Sequence, residues 1–111
     1  MPEITEETKK MVMQFQAYQQ QLQSIIIQKE NLKMQQMEAE AAIKELETSK
    51  QKDAFKITGQ IMIRKPIEEI KKELEENKED IDVRLSSLEK TEERLNAKLV
   101  ELQEKLKQVL K

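Results

Sequence analysis

The stretch Asp53–Pro66, DAFKITGQIMIRKP, constrains the fold more than any other part of the chain. It lies near the midpoint of 111 residues and holds the only glycine, Gly59, and the only internal proline, Pro66. On either side the sequence is charged and repeats with helical period. Inside the stretch the period falls to two, with Phe55, Ile57, Ile61 and Ile63 apolar and Lys56, Thr58, Gln60 and Arg64 polar. Alternation of that kind belongs to an extended strand. Gly59 divides the run, so a β-hairpin is expected. A two-residue loop at Gly59 and Gln60 would set Ile57 opposite Met62 and send Ile61 to the other face. A three-residue loop centred on Gly59 would pair Ile57 with Ile61 and Phe55 with Ile63, gathering all four on one side, and is the preferred reading. A lone two-stranded hairpin is marginal in water and has two open edges. This one is therefore expected to be completed by sheet from other subunits.

The flanks read as two long helices. From about Thr5 an apolar series runs Met11, Phe15, Tyr18, Leu22, Ile25, Lys29, Leu32, Gln36, Ala39, Ile43, Leu46 in steps of four and three, with Lys29 and Gln36 as polar members. Such spacing marks a coiled-coil helix. Residues 1–4 are expected to fray, Glu3, Glu6 and Glu7 suit the helix start, and the polar run Thr48–Lys52 ends it. Pro66 fits the first turn of a second helix, whose seam reads Ile67, Ile70, Leu74, Ile81, Leu85, Leu88, Glu92, Leu95, Leu99, Leu102, Leu106, Val109. The steps Asn77 to Ile81 and Ile81 to Leu85 suggest a stutter there. Lys105, Lys107 and Lys111 give the helix end the charge its dipole prefers.

Equal arms about a reversing ribbon imply an antiparallel pair. Setting Met11 against Leu106, Tyr18 against Leu99, Gln36 against Ile81 and Ile43 against Leu74 keeps both seams in phase and centres the turn between Thr58 and Gly59. Lys29 and Glu92 then fall in adjoining seam layers, where they either reach each other and help fix register or run out to solvent separately. Off the seam, Val12, Met13, Ile26, Ile27, Met34 and Met37 give the first helix apolar residues that the second, with Val83, Val100 and Leu110, has in smaller number. They form either a contact surface or an ordinary broad helix face.

Composition removes many functions. Charged residues are 38% and aromatic residues 3% of the chain, too polar a mixture for a large globular core. With a net charge of −2 and both signs interspersed, no field for nucleic acid or an anionic membrane is expected. No apolar run exceeds three residues, as at Ile25–Ile27, too short for a membrane span or a signal-peptide core. Without His or Cys the chain lacks the parts for nucleophile–base pairs, thiolate metal sites and disulfides, and it has no Gly-rich phosphate loop. Catalytic residues, metal and cofactor are expected to be absent, and the chain is not expected to be an enzyme. Absence of cysteine agrees with a cytoplasmic location.

The run YQQQLQ (Tyr18–Gln23), then QKENL (Gln28–Leu32), then FKITGQIMIRK (Phe55–Lys65) and a leucine heptad with RL..LEK.EERL (Arg84–Leu95) resembles the β-type subunit of prefoldin, above all the archaeal form. The similarity covers nearly the whole chain, and its most specific part is the aromatic-Lys-x-x-Gly-x-x-x-x-Lys/Arg hairpin between heptad helices. It implies one prefoldin-like domain over residues 1–111, with helices at 5–50 and 66–110 and a hairpin at 53–65. The fold class is mainly α: a long antiparallel two-helix coiled coil whose single β-hairpin joins an intersubunit β-barrel. The function implied is an ATP-independent chaperone subunit in a hexamer of two α-type and four β-type chains, capturing unfolded proteins and passing them to a group II chaperonin. Its partners would be α-type subunits, further copies of itself, client proteins and the chaperonin. Carried onto this chain, assembly contacts fall to Phe55, Ile57, Gly59, Ile61 and Ile63. Client contacts fall by position to Met11, Met13, Phe15, Val100, Leu106 and Val109. The alternative is a structural coiled-coil spacer or filament-forming relative.

Overall fold

Thr5 opens the first helix: its hydroxyl accepts the Thr8 backbone N–H at 3.1 Å, satisfying one of the donors that a helix start leaves free. Thr8 is itself buried, with its hydroxyl 3.0 Å from that of Thr5. The T-x-x-T spacing of Thr5 and Thr8 carries this cap, a signal absent from the apolar period of the helix. A computed structural model describes residues 5–110. Helix α1 spans Glu6–Thr48, strand β1 Asp53–Thr58, strand β2 Ile61–Pro66 and helix α2 Ile67–Val109. The expected fraying of residues 1–4 and the roles given to Glu3 and Lys111 lie outside the described residues.

The chain divides into two compact units, Met1–Glu30 with Ser86–Lys111, here the end unit, and Asn31–Leu85, the hairpin unit. In the end unit Met11, Phe15, Tyr18, Leu22, Ile25 and Lys29 of α1 are half-buried, while in α2 Leu95 and Leu102 are buried and Leu88, Glu92, Leu99 and Leu106 half-buried. Lys98 lies over the Tyr18 ring, 5.3 Å from its centroid, and Lys29 donates to Glu92 at 3.2 Å. Partners on α2 fall in number as those on α1 rise, so the helices are antiparallel. In the hairpin unit Ala39, Ile43, Ile67, Ile81 and Leu85 form the buried core. Gln36 donates to Asp82 and Lys78 pairs with Glu40 at 3.4 Å, again antiparallel. Tyr18, Gln36 and Glu40 each meet a residue within one position of the register that the seams set.

Three expectations need correction. The two successive four-residue steps fall at Ile70–Leu74–Lys78, not at Asn77–Ile81–Leu85: Lys78 is half-buried in the seam and Asn77 exposed. A lysine stem is apolar and lies along the seam while the ammonium reaches a carboxylate. In the ribbon, β1 and β2 pair Thr58 with Ile61, Ile57 with Met62, Lys56 with Ile63 and Phe55 with Arg64. The loop is therefore the two-residue one at Gly59 and Gln60, and the three-residue pairing of Ile57 with Ile61 and Phe55 with Ile63 does not form. Gly59 has φ +61° and no other described residue has positive φ, the signature of a type II′ turn. Such a turn matches the twist of the strands it joins, and Gly59 enters that conformation without a Cβ penalty. Pro66 ends β2 and precedes the first helical turn instead of occupying it, and the Ile67 N–H donates to the Lys52 carbonyl at 2.9 Å to close the base of the ribbon.

Candidate functional site

Because opposed residues share a face, the two-residue turn gives the ribbon two different sides. One carries Phe55, Ile57 and Met62, with the Arg64 guanidinium 5.7 Å from the Phe55 ring centroid, a cation–π distance. The other carries Ala54, Lys56, Thr58, Ile61, Ile63 and Lys65. The apolar quartet of the sequence is thus split, Phe55 and Ile57 on one side and Ile61 and Ile63 on the other, against the expectation of a single oily face. All four are exposed; Ile57 is 71% accessible and Met62 63%. Met62 was missed because three-residue pairing put it among the outward residues; the adjacency of Gly59 to a polar residue was the available signal for the shorter loop.

Lysines on the second side tie the ribbon to α2. Lys56 Nζ donates to Glu73 Oε2 at 2.8 Å and Lys65 Nζ to Glu73 Oε1 at 2.9 Å, with Glu69 3.7 Å from Lys65. The hydrogen bond from Lys56, then that from Lys65, hold the Glu73 carboxyl down from 4.5 to about 2. The same contact raises Lys65. Lys56 and Glu73, with Ile70, Leu74 and Asn77, line a small open notch beneath the ribbon.

Such an element can add strands. The two-stranded sheet leaves its outer edges unpaired among the described residues. Burying each large apolar side chain would contribute about 1.5–3 kcal/mol.

A second apolar surface lies in the end unit, where Phe15, Leu106 and Leu110 with Gln103 and Lys107 line an open notch. Of the residues expected to meet clients, Phe15 and Leu106 come together there. Met13 and Val100 are exposed and lie outside the notch lining, Met11 is half-buried in the seam, and Val109 is partly exposed. Leu110 joins the notch through its four-residue spacing from Leu106, a signal the sequence carried. Among the described residues there is no group of three or more Asp or Glu side chains that could hold a metal, and no helix is long and apolar enough to cross a membrane.

Comparison with known proteins gives one answer. The sequence pattern of a family described as "Prefoldin subunit" matches residues 9–111. The chain is 32% identical over 111 residues to prefoldin subunit beta of Archaeoglobus fulgidus, covering 99% of this chain and 96% of that one. It is 35% identical over 109 residues to prefoldin subunit beta of Methanothrix thermoacetophila, covering 97% and 91%. Among solved structures, the prefoldin beta subunit from Thermococcus strain KS-1 is similar with a TM-score of 0.87 at 32% identity, covering 100% of this chain and 98% of that chain.

Proposed function

The chain belongs to the prefoldin family as a β-type subunit, and from that premise we propose that it works in a hexameric, ATP-independent chaperone with α-type subunits and further copies of itself. The observation that carries this reading is the ribbon: apolar on both sides, exposed, open at both edges and too small to be stable alone. Strand addition from neighbouring ribbons would bury its apolar residues and satisfy its edges together. Clients are held at the end unit, where Phe15, Leu106 and Leu110 offer apolar surface. Unbranched, polarisable Met11 and Met13 suit partners of varied shape. Held clients pass to a group II chaperonin in the cytoplasm. No catalytic step belongs to this activity.

The test is mass measurement on the chain alone and mixed with an α-type partner, followed by an aggregation assay on an unfolding client without nucleotide. A closed hexamer in the mixture that suppresses aggregation near stoichiometric amounts is expected. Open-ended self-assembly of the chain alone would favour the structural, filament-forming alternative.

A further inference from the structure

The ribbon has two apolar sides, yet a partner subunit must meet a defined one. A two-stranded ribbon has little packing to hold its orientation. Its inner half, however, is held at one point on α2. Lys56 belongs to β1 and Lys65 to β2; they are diagonal neighbours on the same side of the ribbon, and both reach Glu73. Glu73 is the one carboxylate, among the described residues, that pairs with both strands; Glu69 pairs with Lys65 alone. Each oxygen of Glu73 takes one ammonium, so the carboxylate is used bidentately across the ladder, and charge-assisted bonds of this kind add geometric specificity. Lys65 is the more covered of the two lysines. Neighbouring Ile70 and Leu74 lie half-buried in the seam, which fixes the helix face from which Glu73 projects.

We propose that Glu73 is a positioning residue for assembly: by gripping one lysine from each strand it turns the Lys56–Lys65 side of the ribbon toward α2 and presents the Phe55–Ile57–Met62 side to the partner subunit. Bonding to both strands makes the grip directional. The depressed Glu73 pKa agrees with a carboxylate that stays charged for this purpose. This inference rests on the reading of the ribbon as an assembly element.

The chain contains no cysteine, so Thr58→Cys and Glu79→Cys allow spin labels at the ribbon turn and on α2 without other changes. In the full chain the pair should give one narrow distance distribution. Glu73→Gln should broaden it with helix content unchanged, and should weaken assembly with an α-type partner about tenfold. Exchanging all three charges, Glu73→Lys with Lys56→Glu and Lys65→Glu, together with Glu69→Gln to remove the carboxylate that faces position 65, should restore both readouts. A narrow distribution in Glu73→Gln would overturn the proposal. So would a parallel loss of helix content, or failure of the charge exchange to restore the distance. If the unaltered chain does not assemble with an α-type partner, the proposed function fails, while the distance measurement still decides the role of Glu73.

Discussion

At the scale of single residues, Glu73 makes a titration prediction with a definite sign. A carboxyl depressed from 4.5 to about 2 contributes stability that is fully present above pH 4.5 and is lost as pH falls through about 2. Lys65, whose pKa is raised above 10.5, contributes fully below that value and loses its contribution as pH rises through its elevated one. The ribbon-to-helix link is therefore intact across the whole neutral range and weakens at both extremes. Carbon NMR of the Glu73 carboxyl should show a midpoint near 2, and Lys56→Met should move it upward, since the Lys56 hydrogen bond is the largest cause of the shift. A midpoint in the ordinary carboxylate range in the unaltered chain would contradict the geometry.

Elements show where burial and polarity set the helix pairing. Ile81 is 2% exposed and Val83, two residues on, 70%. Ile81→Ala should cost about 2–5 kcal/mol in urea unfolding, the range for deleting a buried aliphatic side chain. Val83→Ala should stay within about 0.5 kcal/mol. In the end unit, Lys29 and Glu92 meet at 3.2 Å with side chains only 15% and 27% exposed, so the alternative of two separate excursions to solvent does not hold. Reversing either charge alone should destabilise by roughly 1–3 kcal/mol, and exchanging both should recover most of it, with the coupling read from the double-mutant cycle. The seams were legible in the sequence because apolar residues at alternating four- and three-residue steps report helix facing directly; Met11 through Leu46 needed no structure to place. Two things were not legible. Lys78 counts as polar by type, although its stem is apolar. The ribbon's sidedness depends on loop length, and a change of one residue sends Ile61 and Ile63 to the opposite side from Phe55 and Ile57. Period two declares that a strand has two faces; the φ of Gly59 decides which residues share them. The notch at Phe15, Leu106 and Leu110 was half visible, Phe15 and Leu106 lying on heptad positions and Leu110 off the seam, whereas the approach of Glu73 to both lysines joins residues 17 and 8 positions apart that no periodicity links.

For the whole molecule, exposed apolar residues on both the ribbon and α1 mean that stability and assembly are linked by mass action. Mixed with an α-type partner, the chain should melt at a temperature that rises with concentration. At a partner concentration 100 times Kd the gain should be about 2.7 kcal/mol. Calorimetry across a tenfold concentration series measures it, and a melting point independent of concentration would count against obligate assembly. The antiparallel pairing also carries a cost in time. Residues of the ribbon find their partners within 13 positions, whereas Tyr18 must wait for Lys98, about 80 residues later. On a ribosome adding roughly 5–20 residues per second that wait lasts several seconds, during which the nascent first arm has no mate. Closure should begin at the turn and run toward the chain ends, so substitutions beside Gly59 should slow refolding while those at Tyr18 or Leu102 hasten unfolding. The stretch around Lys98, made some seconds later, is thus what completes the stretch around Tyr18.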